Sequence, residues 1–391
     1  MGSIQETDQN YIMHTYARQG APLVSGRGAT ACDENGREYI DFGAGIGVNS
    51  LGYCDPDWAE AVAEQARTLQ HTSNLYYSRP CAELAALLCE TTGTRRAIFC
   101  NSGAEANECI IKLARKYSFD KYGAAAGRNK ILCLQNSFHG RTVTTLSATG
   151  QDVFHNYFFP FTEGFAFAPA NDLEAVKAAL AAGGFCGVLV EFIQGEGGVL
   201  PLEPDFAAGL AALCGERDLL LLADEVQTGI GRTGRLLASE WFGIQPDATS
   251  LAKGLGGGLP IGAVIANEKL ADVFHPGDHG TTFGGNPVSC AGGLVALHRV
   301  ADRDFLAEVR RKGEKLRAAI AAMPEAAGVD GLGMMLGIRL KTKAAGDVVA
   351  ACREAGLLVL SAKTKVRLLP PLTITDEELD RGLAILAKAL A

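Results

Sequence analysis

An apolar run that stops abruptly at two acids constrains the fold of this chain more than any other feature. Residues 219–223 read Leu-Leu-Leu-Leu-Ala, and Asp224 and Glu225 follow at once. An uninterrupted apolar run of this length predicts a strand buried on both faces, as in parallel sheets covered by helices. Open α/β folds bind ligands at the carboxyl ends of such strands. Asp224 is therefore expected at a ligand-binding edge.

Lys253 stands 253 − 224 = 29 residues further on, followed by glycines at 254, 256, 257 and 258. Glycines leave room for a bulky group beside the lysine. A buried carboxylate near such a lysine suggests a cationic ring nitrogen facing an amine that forms a Schiff base. Two plainer interpretations stay open from these residues alone: Asp224 as the cap of a following helix, and Lys253 as a solvated loop residue.

The same strand-and-turn rhythm recurs along the chain. Residues 97–100, 130–134 and 187–191 are short apolar runs, and each is followed by a polar or glycine-rich turn at 101–103, 135–142 or 192–198. A helical pattern over residues 104–117 follows the first turn directly, so free N–H groups at its start could bind an anion. The repeated order predicts a mostly parallel, doubly wound sheet whose turns converge on one edge.

Composition excludes several classes of protein. The 391 residues predict two domains, and 48% hydrophobic with 20% charged residues is typical of a globular chain. A net charge of −8 argues against nucleic-acid binding, and the apolar runs are too short to span a membrane. The 11 cysteines show no C-x-x-C pair and no metal-ligand spacing, which predicts reduced thiols, no metal site and a cytoplasmic protein.

The chain divides into three predicted segments. Residues 1–48 form an N-terminal arm, whose Asn35-Gly36 dipeptide predicts a β-hairpin. Residues 49–287 form the large domain. Residues 288–391 form a smaller C-terminal α/β domain, with a linking helix from 288 to 299, one short strand near 334–340 and a final helix opened by Thr375.

Six segments, in this order, resemble the class III pyridoxal-phosphate aminotransferases. They are Ser-Gly-Ala-Glu-Ala-Asn-Glu at 102–108, Phe-His-Gly-Arg-Thr at 138–142, Gln-Gly-Glu-Gly-Gly at 194–198, Asp-Glu-Val-Gln-Thr-Gly at 224–229, Ala-Lys-Gly-Leu-Gly at 252–256 and Gly-Thr-Thr-Phe-Gly-Gly-Asn-Pro at 280–287. The resemblance extends from about residue 10 to the C-terminus. It implies fold type I, pyridoxal 5'-phosphate (PLP) as cofactor, and a homodimer with active sites at the subunit interface.

The resemblance also assigns cofactor contacts. Lys253 would bind PLP covalently, and Asp224 would pair with the protonated pyridine nitrogen. The other implied cofactor residues are Ser102, Gly103 and Ala104 at the phosphate, Phe138 and Val226 on the two ring faces, Gln227 at the ring hydroxyl, the neighbouring Glu225, and Thr282 at the phosphate from the partner subunit.

The implied reaction transfers an amino group from an ω-amine to 2-oxoglutarate. Arg141 would bind the distal carboxylate of either substrate as a bidentate pair, and Thr281 would lie beside the substrate. Arg367 would bind the α-carboxylate of 2-oxoglutarate, and Glu196 would cover Arg367 when the ω-amine is bound. An ordinary structural ion pair between Glu196 and Arg367 stays an alternative.

The amino donor implied by the resemblance is N2-acetylornithine, in arginine biosynthesis. Ornithine, succinylornithine, succinyldiaminopimelate and 4-aminobutyrate are alternative donors, because an acyl group or a methylene changes binding only modestly. An aminomutase or decarboxylase, and a binding protein without catalysis, are further alternatives.

Two departures from the family pattern concern loops. Phe192 stands where proline is usual, and Tyr53-Cys54-Asp55 replaces a histidine-containing turn. The roles of Asn74, Tyr76 and Tyr77 are not predicted.

Overall fold

The computed structural model describes residues 3–391. Its α-helices are α1 (Ile4–Tyr11), α2 (Ala44–Gly47), α3 (Pro56–Thr68), α4 (Arg79–Thr92), α5 (Gly103–Tyr122), α6 (Val143–Ala148), α7 (Leu173–Leu180), α8 (Pro204–Glu216), α9 (Pro287–Val300), α10 (Arg303–Ala321), α11 (Ala345–Glu354) and α12 (Asp376–Ala389). Its strands are β1 (Leu23–Arg27), β2 (Thr30–Asp33), β3 (Glu38–Asp41), β4 (Arg96–Cys100), β5 (Lys130–Leu134), β6 (Phe165–Ala168), β7 (Phe185–Val190), β8 (Ile193–Gln194), β9 (Leu200–Pro201), β10 (Leu220–Asp224), β11 (Ala248–Leu251), β12 (Gly262–Ala266), β13 (Ala326–Leu332), β14 (Met335–Leu340), β15 (Leu357–Leu358), β16 (Leu360–Ala362) and β17 (Lys365–Leu368).

A seven-stranded sheet, ordered β4-β12-β11-β10-β7-β5-β6, positions the candidate site. Strand β10 runs parallel to both β11 and β7, and β5 runs parallel to both β7 and β6. Strand β12 pairs antiparallel with both β11 and β4. The predicted mostly parallel, doubly wound sheet is therefore confirmed, and the carboxyl ends of β4, β5, β7, β10 and β11 meet at one edge.

Strand β10 is buried along its whole length because helices cover both faces of the sheet. Leu220 and Leu222 pack into the core that contains α5, whereas Leu221 and Ala223 pack into the core that contains α7 and α8. The side chains alternate with the two-residue period of a strand. This two-sided burial is the physical reason for the apolar run before Asp224.

The remaining strands form three smaller sheets, ordered β1-β2-β3-β15, β13-β14-β17-β16 and β8-β9. The hairpin at Asn35-Gly36 is confirmed: β2 and β3 pair antiparallel, and Gly36 adopts a φ of +78° in the turn. Strand β3 also pairs in parallel with β15, so the N-terminal hairpin is joined to the C-terminal part of the chain. The three-segment division at residues 48 and 287 stays a prediction, and its residues 1 and 2 lie outside the described residues.

Several boundaries agree with the sequence. Helix α9 covers the predicted linking helix, and Thr375 caps α12 through a reciprocal capping box with Glu378. The short strand predicted near 334–340 forms as β14. The C-terminal segment contains more strands than this, because β13, β15, β16 and β17 also form there. Within residues 3–391, no helix is long and apolar enough to cross a membrane.

Candidate active site

A cavity of about 420 Å³ opens at the carboxyl edge of the large sheet. It is lined by turns that follow β4, β5, β7, β10 and β11, and the predicted residues among its lining are Ser102, Gly103, Ala104, Phe138, Arg141, Asp224, Val226, Gln227 and Lys253. A larger cleft of about 960 Å³, between the end of α4 and the start of α10, contains none of the predicted residues. Chemistry rather than volume therefore selects the smaller cavity.

The Asp224 carboxylate lines this cavity and is fixed by three hydrogen bonds. Its Oδ2 accepts hydrogen bonds from Asn107 Nδ2 and from His139 Nδ1, both at 2.7 Å, and its Oδ1 accepts from the Val226 N–H at 3.0 Å. Ser250 Oγ donates to Asn107 Oδ1 at 2.7 Å and so fixes the asparagine in turn. No α-helix begins at Asp224, which removes the helix-cap interpretation.

His139 lies beside Asp224 and is 1% exposed. Burial alone lowers the pKa of this imidazole, but the hydrogen bond and charge of Asp224, with a contribution from Cys133, raise the pKa to about 10. His139 Nδ1 donates to Asp224 Oδ2 at 2.7 Å. A carboxylate held by three donors presents a fixed, oriented acceptor to the cavity.

Lys253 follows β11, the strand next to β10, and also lines the cavity. Its backbone has a φ of +44°, a left-handed conformation that costs free energy for a residue with a side chain and that recurs at functional sites. Burial lowers the pKa of its ε-amine, while the charges of Asp224 and Glu196 oppose that shift. A lysine that lines a cavity under these conditions is not a solvated loop residue.

The start of α5 supplies donors for an anion. Ser102 caps the helix, because its Oγ accepts from the Glu105 N–H at 3.2 Å. The N–H groups of Gly103 and Ala104 lie in the first turn, where an α-helix has no internal acceptors, and both residues line the cavity. Gly103 is required by packing: a Cβ atom there would lie 2.6 Å from Val226 Cγ1.

Arg367 and Glu196 form the predicted pair. Arg367 is 3% exposed, its Nη1 donates to Glu196 Oε1 at 2.6 Å, and the same nitrogen contacts Gln227 Oε1 at 3.2 Å. The Nε of Arg367 is buried and has no partner within the described chain. Neither Glu196 nor Arg367 lines the cavity, but Gln227 does and connects the pair to it.

Arg141 differs from Arg367 because its side chain is exposed in the cavity mouth. Its guanidinium lies over the rings of Phe154, at 4.2 Å, and Phe138, at 5.7 Å. Within residues 3–391 no carboxylate forms a salt bridge with it. Aromatic faces orient this cation and leave its N–H fork available for a carboxylate.

Thr281 and Thr282 occupy a loop at the rim. Thr281 Oγ1 accepts from Asn101 Nδ2 at 2.8 Å, and Asn74 Nδ2 donates to the carbonyl oxygens of Thr281, at 3.2 Å, and Gly284, at 2.9 Å. Asn74 therefore holds this loop against its own subunit. Thr282, Tyr76 and Tyr77 are exposed.

The prediction that Glu225 contacts the cofactor needs correction. Its carboxylate accepts from the N–H groups of Ala238, at 2.5 Å, and Ser239, at 2.9 Å, and from Thr228 Oγ1 at 3.2 Å. Glu225 is 1% exposed and is absent from the cavity lining. Successive residues of a strand point to opposite faces, so Asp224 and Glu225 cannot both face the ligand.

Comparison with known proteins identifies the family. The family model described as aminotransferase class-III matches residues 13–390. The chain belongs to the class III aminotransferases. Acetylornithine aminotransferase of Haemophilus ducreyi is 51% identical to the chain over 389 residues, which cover 99% of this chain and 98% of that relative.

Two solved structures extend the comparison. N-acetylornithine aminotransferase from Stenotrophomonas maltophilia superimposes with a TM-score of 0.85 and 38% identity, and the match covers 98% of this chain and 97% of that one. Ornithine aminotransferase from Toxoplasma gondii, with PLP partly occupying its active site, gives a TM-score of 0.93 and 33% identity over 99% and 93% of the two chains.

Class III aminotransferases are PLP-dependent transferases, and the cavity of this member fits the cofactor. A phosphate needs clustered N–H and O–H donors, which the start of α5 offers. A protonated ring nitrogen needs a buried anion, which Asp224 offers, and a reactive aldehyde needs an uncharged amine, which burial favours at Lys253. Phe138 and Val226 provide apolar surfaces for the ring.

Sequence reasoning missed Glu191, His139 and Asn107 as parts of the site. All three are buried and line the cavity. Each lies within or beside a segment that the resemblance selected, so the available signal was a polar residue at a strand end or near the start of a helix. The hydrogen-bond partners of Asn107 lie 32 to 143 positions away, and sequence spacing does not reveal such partners.

The two departures have structural roles outside the cavity. Phe192 is 1% exposed and stacks on Phe242 with ring centroids 5.1 Å apart. Tyr53 donates its hydroxyl to Asp41 Oδ2 at 2.7 Å, and Asp55 caps α3 while pairing with Arg299 at 2.6 Å. Core packing accommodates Phe192, whereas polar contacts hold Tyr53 and Asp55.

Proposed function

We propose that this chain is N2-acetylornithine:2-oxoglutarate 5-aminotransferase, an enzyme of arginine biosynthesis. The proposal rests on a difference between two arginines. Arg141 has no carboxylate partner among residues 3–391, whereas Arg367 forms an ion pair with Glu196. The names of two relatives, the Haemophilus ducreyi and Stenotrophomonas maltophilia proteins, support the acetylated donor. The Toxoplasma gondii structure supports free ornithine as the second candidate.

Substrate selection follows from the charge of each reacting carbon. The ω-carbon of N2-acetylornithine bears no carboxylate, whereas the reacting carbon of 2-oxoglutarate does. With the amine bound, Glu196 neutralises Arg367, so that this buried cation keeps a partner. With 2-oxoglutarate bound, Glu196 moves aside and Arg367 binds the α-carboxylate. Arg141 binds the distal carboxylate in both cases, which aligns each reacting carbon with Lys253.

Proton transfer is assigned to Lys253. Bound PLP supplies an electron sink that stabilises negative charge on the substrate carbon. With PLP bound, the ε-amine of Lys253 would accept the proton from the substrate carbon and release it again during transfer of the amino group. Burial favours the neutral amine, which is the form that accepts a proton near pH 7.

Asp224 and its partners keep that electron sink effective. When PLP is bound, the buried Asp224 carboxylate would pair with the pyridine nitrogen and favour its protonated form. Asn107 and His139 fix its orientation, so the anion does not have to reorganise during the reaction.

We infer that the enzyme acts as a homodimer. Leu75, Tyr76, Tyr77 and Phe283, near the rim, have 60–106% exposure in the isolated chain. Large apolar and aromatic groups in such a cluster are typical of a protein interface. Thr282 would then complete the phosphate site of the partner. Sedimentation equilibrium should give twice the 41.1 kDa chain mass.

A panel of ω-amines tests the substrate assignment. N2-acetylornithine, ornithine, succinylornithine, succinyldiaminopimelate and 4-aminobutyrate are assayed separately with 2-oxoglutarate. N2-acetylornithine should have the highest kcat/KM, by roughly tenfold or more, since an acyl group contributes about 1–3 kcal/mol in a fitted pocket. A preference for free ornithine would replace the leading assignment with the second candidate.

A further inference from the structure

Glu191 is a buried acid that connects two turns of the active site. It follows β7 and is 4% exposed. Its Oε1 accepts a hydrogen bond from the Phe138 N–H at 2.8 Å, and its Oε2 accepts from the Gly195 N–H at 3.1 Å. One carboxylate thus joins the turn after β5 to the turn after β8. Both oxygens are engaged by backbone donors, which leaves Glu191 no role as the group that carries the substrate proton.

Each of the connected turns carries a different part of the site. The Phe138 ring lines the cavity, where it provides one face for the cofactor. Gly195 immediately precedes Glu196, which pairs with Arg367.

Gly195 also packs tightly against Gln227. A Cβ atom at position 195 would lie 2.4 Å from the amide carbon of Gln227. Gln227 in turn contacts Arg367 at 3.2 Å. A displacement of Gly195 is therefore transmitted to both side chains that contact the Arg367 guanidinium.

We propose that Glu191 is a positioning residue. It fixes the position of the Phe138 ring relative to the Glu196–Arg367 pair, and so fixes the position of the cofactor relative to 2-oxoglutarate. The cofactor part rests on the site geometry, and the substrate part rests on the proposed function. A carboxylate suits this role because it offers two acceptor oxygens to two N–H groups. A glutamine has one acceptor and would direct an NH₂ group at the second N–H.

The test compares Glu191→Gln with Glu325→Gln. Glu325 is the control because it is 8% exposed, does not line the cavity and accepts backbone hydrogen bonds from Thr342 and Lys343, both at Oε1. Three quantities are measured: the Kd for PLP, the visible circular dichroism of bound PLP, and the KM for 2-oxoglutarate relative to the KM for the amino donor.

Glu191→Gln should weaken PLP binding about tenfold, which corresponds to the loss of one buried hydrogen bond. It should also reduce the dichroism and raise the KM for 2-oxoglutarate at least fivefold more than the KM for the amine. Glu325→Gln should change none of these quantities by more than twofold. If Glu191→Gln does not fold, Glu191→Asp is measured instead. It keeps both acceptors on a shorter stem and should show the same changes at smaller size.

Two results would overturn the proposal. One is a folded Glu191 variant with PLP affinity, dichroism and KM ratio all within twofold of the wild type. The other is an equal effect of Glu325→Gln, which would indicate general destabilisation. Failure of the substrate assignment is distinguishable, because PLP affinity and dichroism are measured without substrate and the KM ratio can be taken with whichever ω-amine the wild type prefers.

Discussion

Asp224 and Glu225 are neighbours with opposite roles. Asp224 faces the cavity and is held by Asn107 and His139, whereas Glu225 accepts from the N–H groups of Ala238 and Ser239 on the other side of the strand. Burial raises the pKa of Glu225 to about 7, despite the lowering effect of those N–H donors. The folded chain therefore binds a proton at Glu225 more tightly than the unfolded chain does.

A pH-dependent stability follows from that raised pKa. The contribution is fully present below the unfolded pKa of 4.5 and is lost as the pH rises through about 7. Urea unfolding of wild type and Glu225→Gln is compared at two pH values. Between about pH 5 and pH 8, the unfolding free energy of the wild type should fall by about 2 kcal/mol relative to the variant. A difference that is the same at both pH values would show that Glu225 does not titrate in this range.

Residue roles were predictable where they depend on a local pattern. Asp224 and Lys253 were found from an apolar run and a glycine cluster. Glu191 and His139 were not, because their importance comes from burial and from partners on other turns. The sequence also did not distinguish the side of the strand on which Glu225 lies.

At the scale of elements, five strand ends and one helix start build the site. Two-sided burial produces the apolar runs of β5, β7 and β10, so these strands were predictable from composition alone. The antiparallel direction of β12 was not, because direction depends on how the intervening loop crosses the sheet. Strand β13 reads Ala-Ala-Gly-Val-Asp-Gly-Leu and lacks a β-prone pattern; its pairing with β14 stabilises it.

The start of α5 provides a test at this scale. In Gly103→Ala, the new Cβ atom would lie 2.6 Å from Val226 Cγ1 and 3.0 Å from its Cγ2. Either the helix start or Val226 must move, so PLP should bind about tenfold more weakly, as expected for overpacking of 1–3 kcal/mol.

Gly215→Ala is the control for that substitution, because position 215 lies in α8 and a Cβ atom added there would meet no other atom within 4 Å. Its PLP affinity should equal that of the wild type. If Gly103→Ala also retained wild-type affinity, the phosphate would not be bound at the start of α5.

At the scale of the whole molecule, distant parts of the chain form one site. The large sheet provides Asp224 and Lys253, whereas Arg367 comes from β17 of a separate C-terminal sheet and reaches Glu196 at 2.6 Å. The chain pairs β3 with β15, which ties its two ends together. The proposed substrate choice therefore depends on contacts between sheets, whereas most of the proposed cofactor contacts lie at one sheet edge.

Lys253 is the residue on which the proposed chemistry depends most, because it is assigned the proton transfer when the enzyme takes an amino group from N2-acetylornithine. The most direct test follows the visible absorbance of the purified, PLP-loaded protein after N2-acetylornithine is added alone. The yellow band of the wild type should bleach and should return on addition of 2-oxoglutarate. Lys253→Ala should react roughly 10³-fold more slowly, which is typical for loss of a general base. A Lys253→Ala protein that transfers the amino group at the wild-type rate would contradict this assignment.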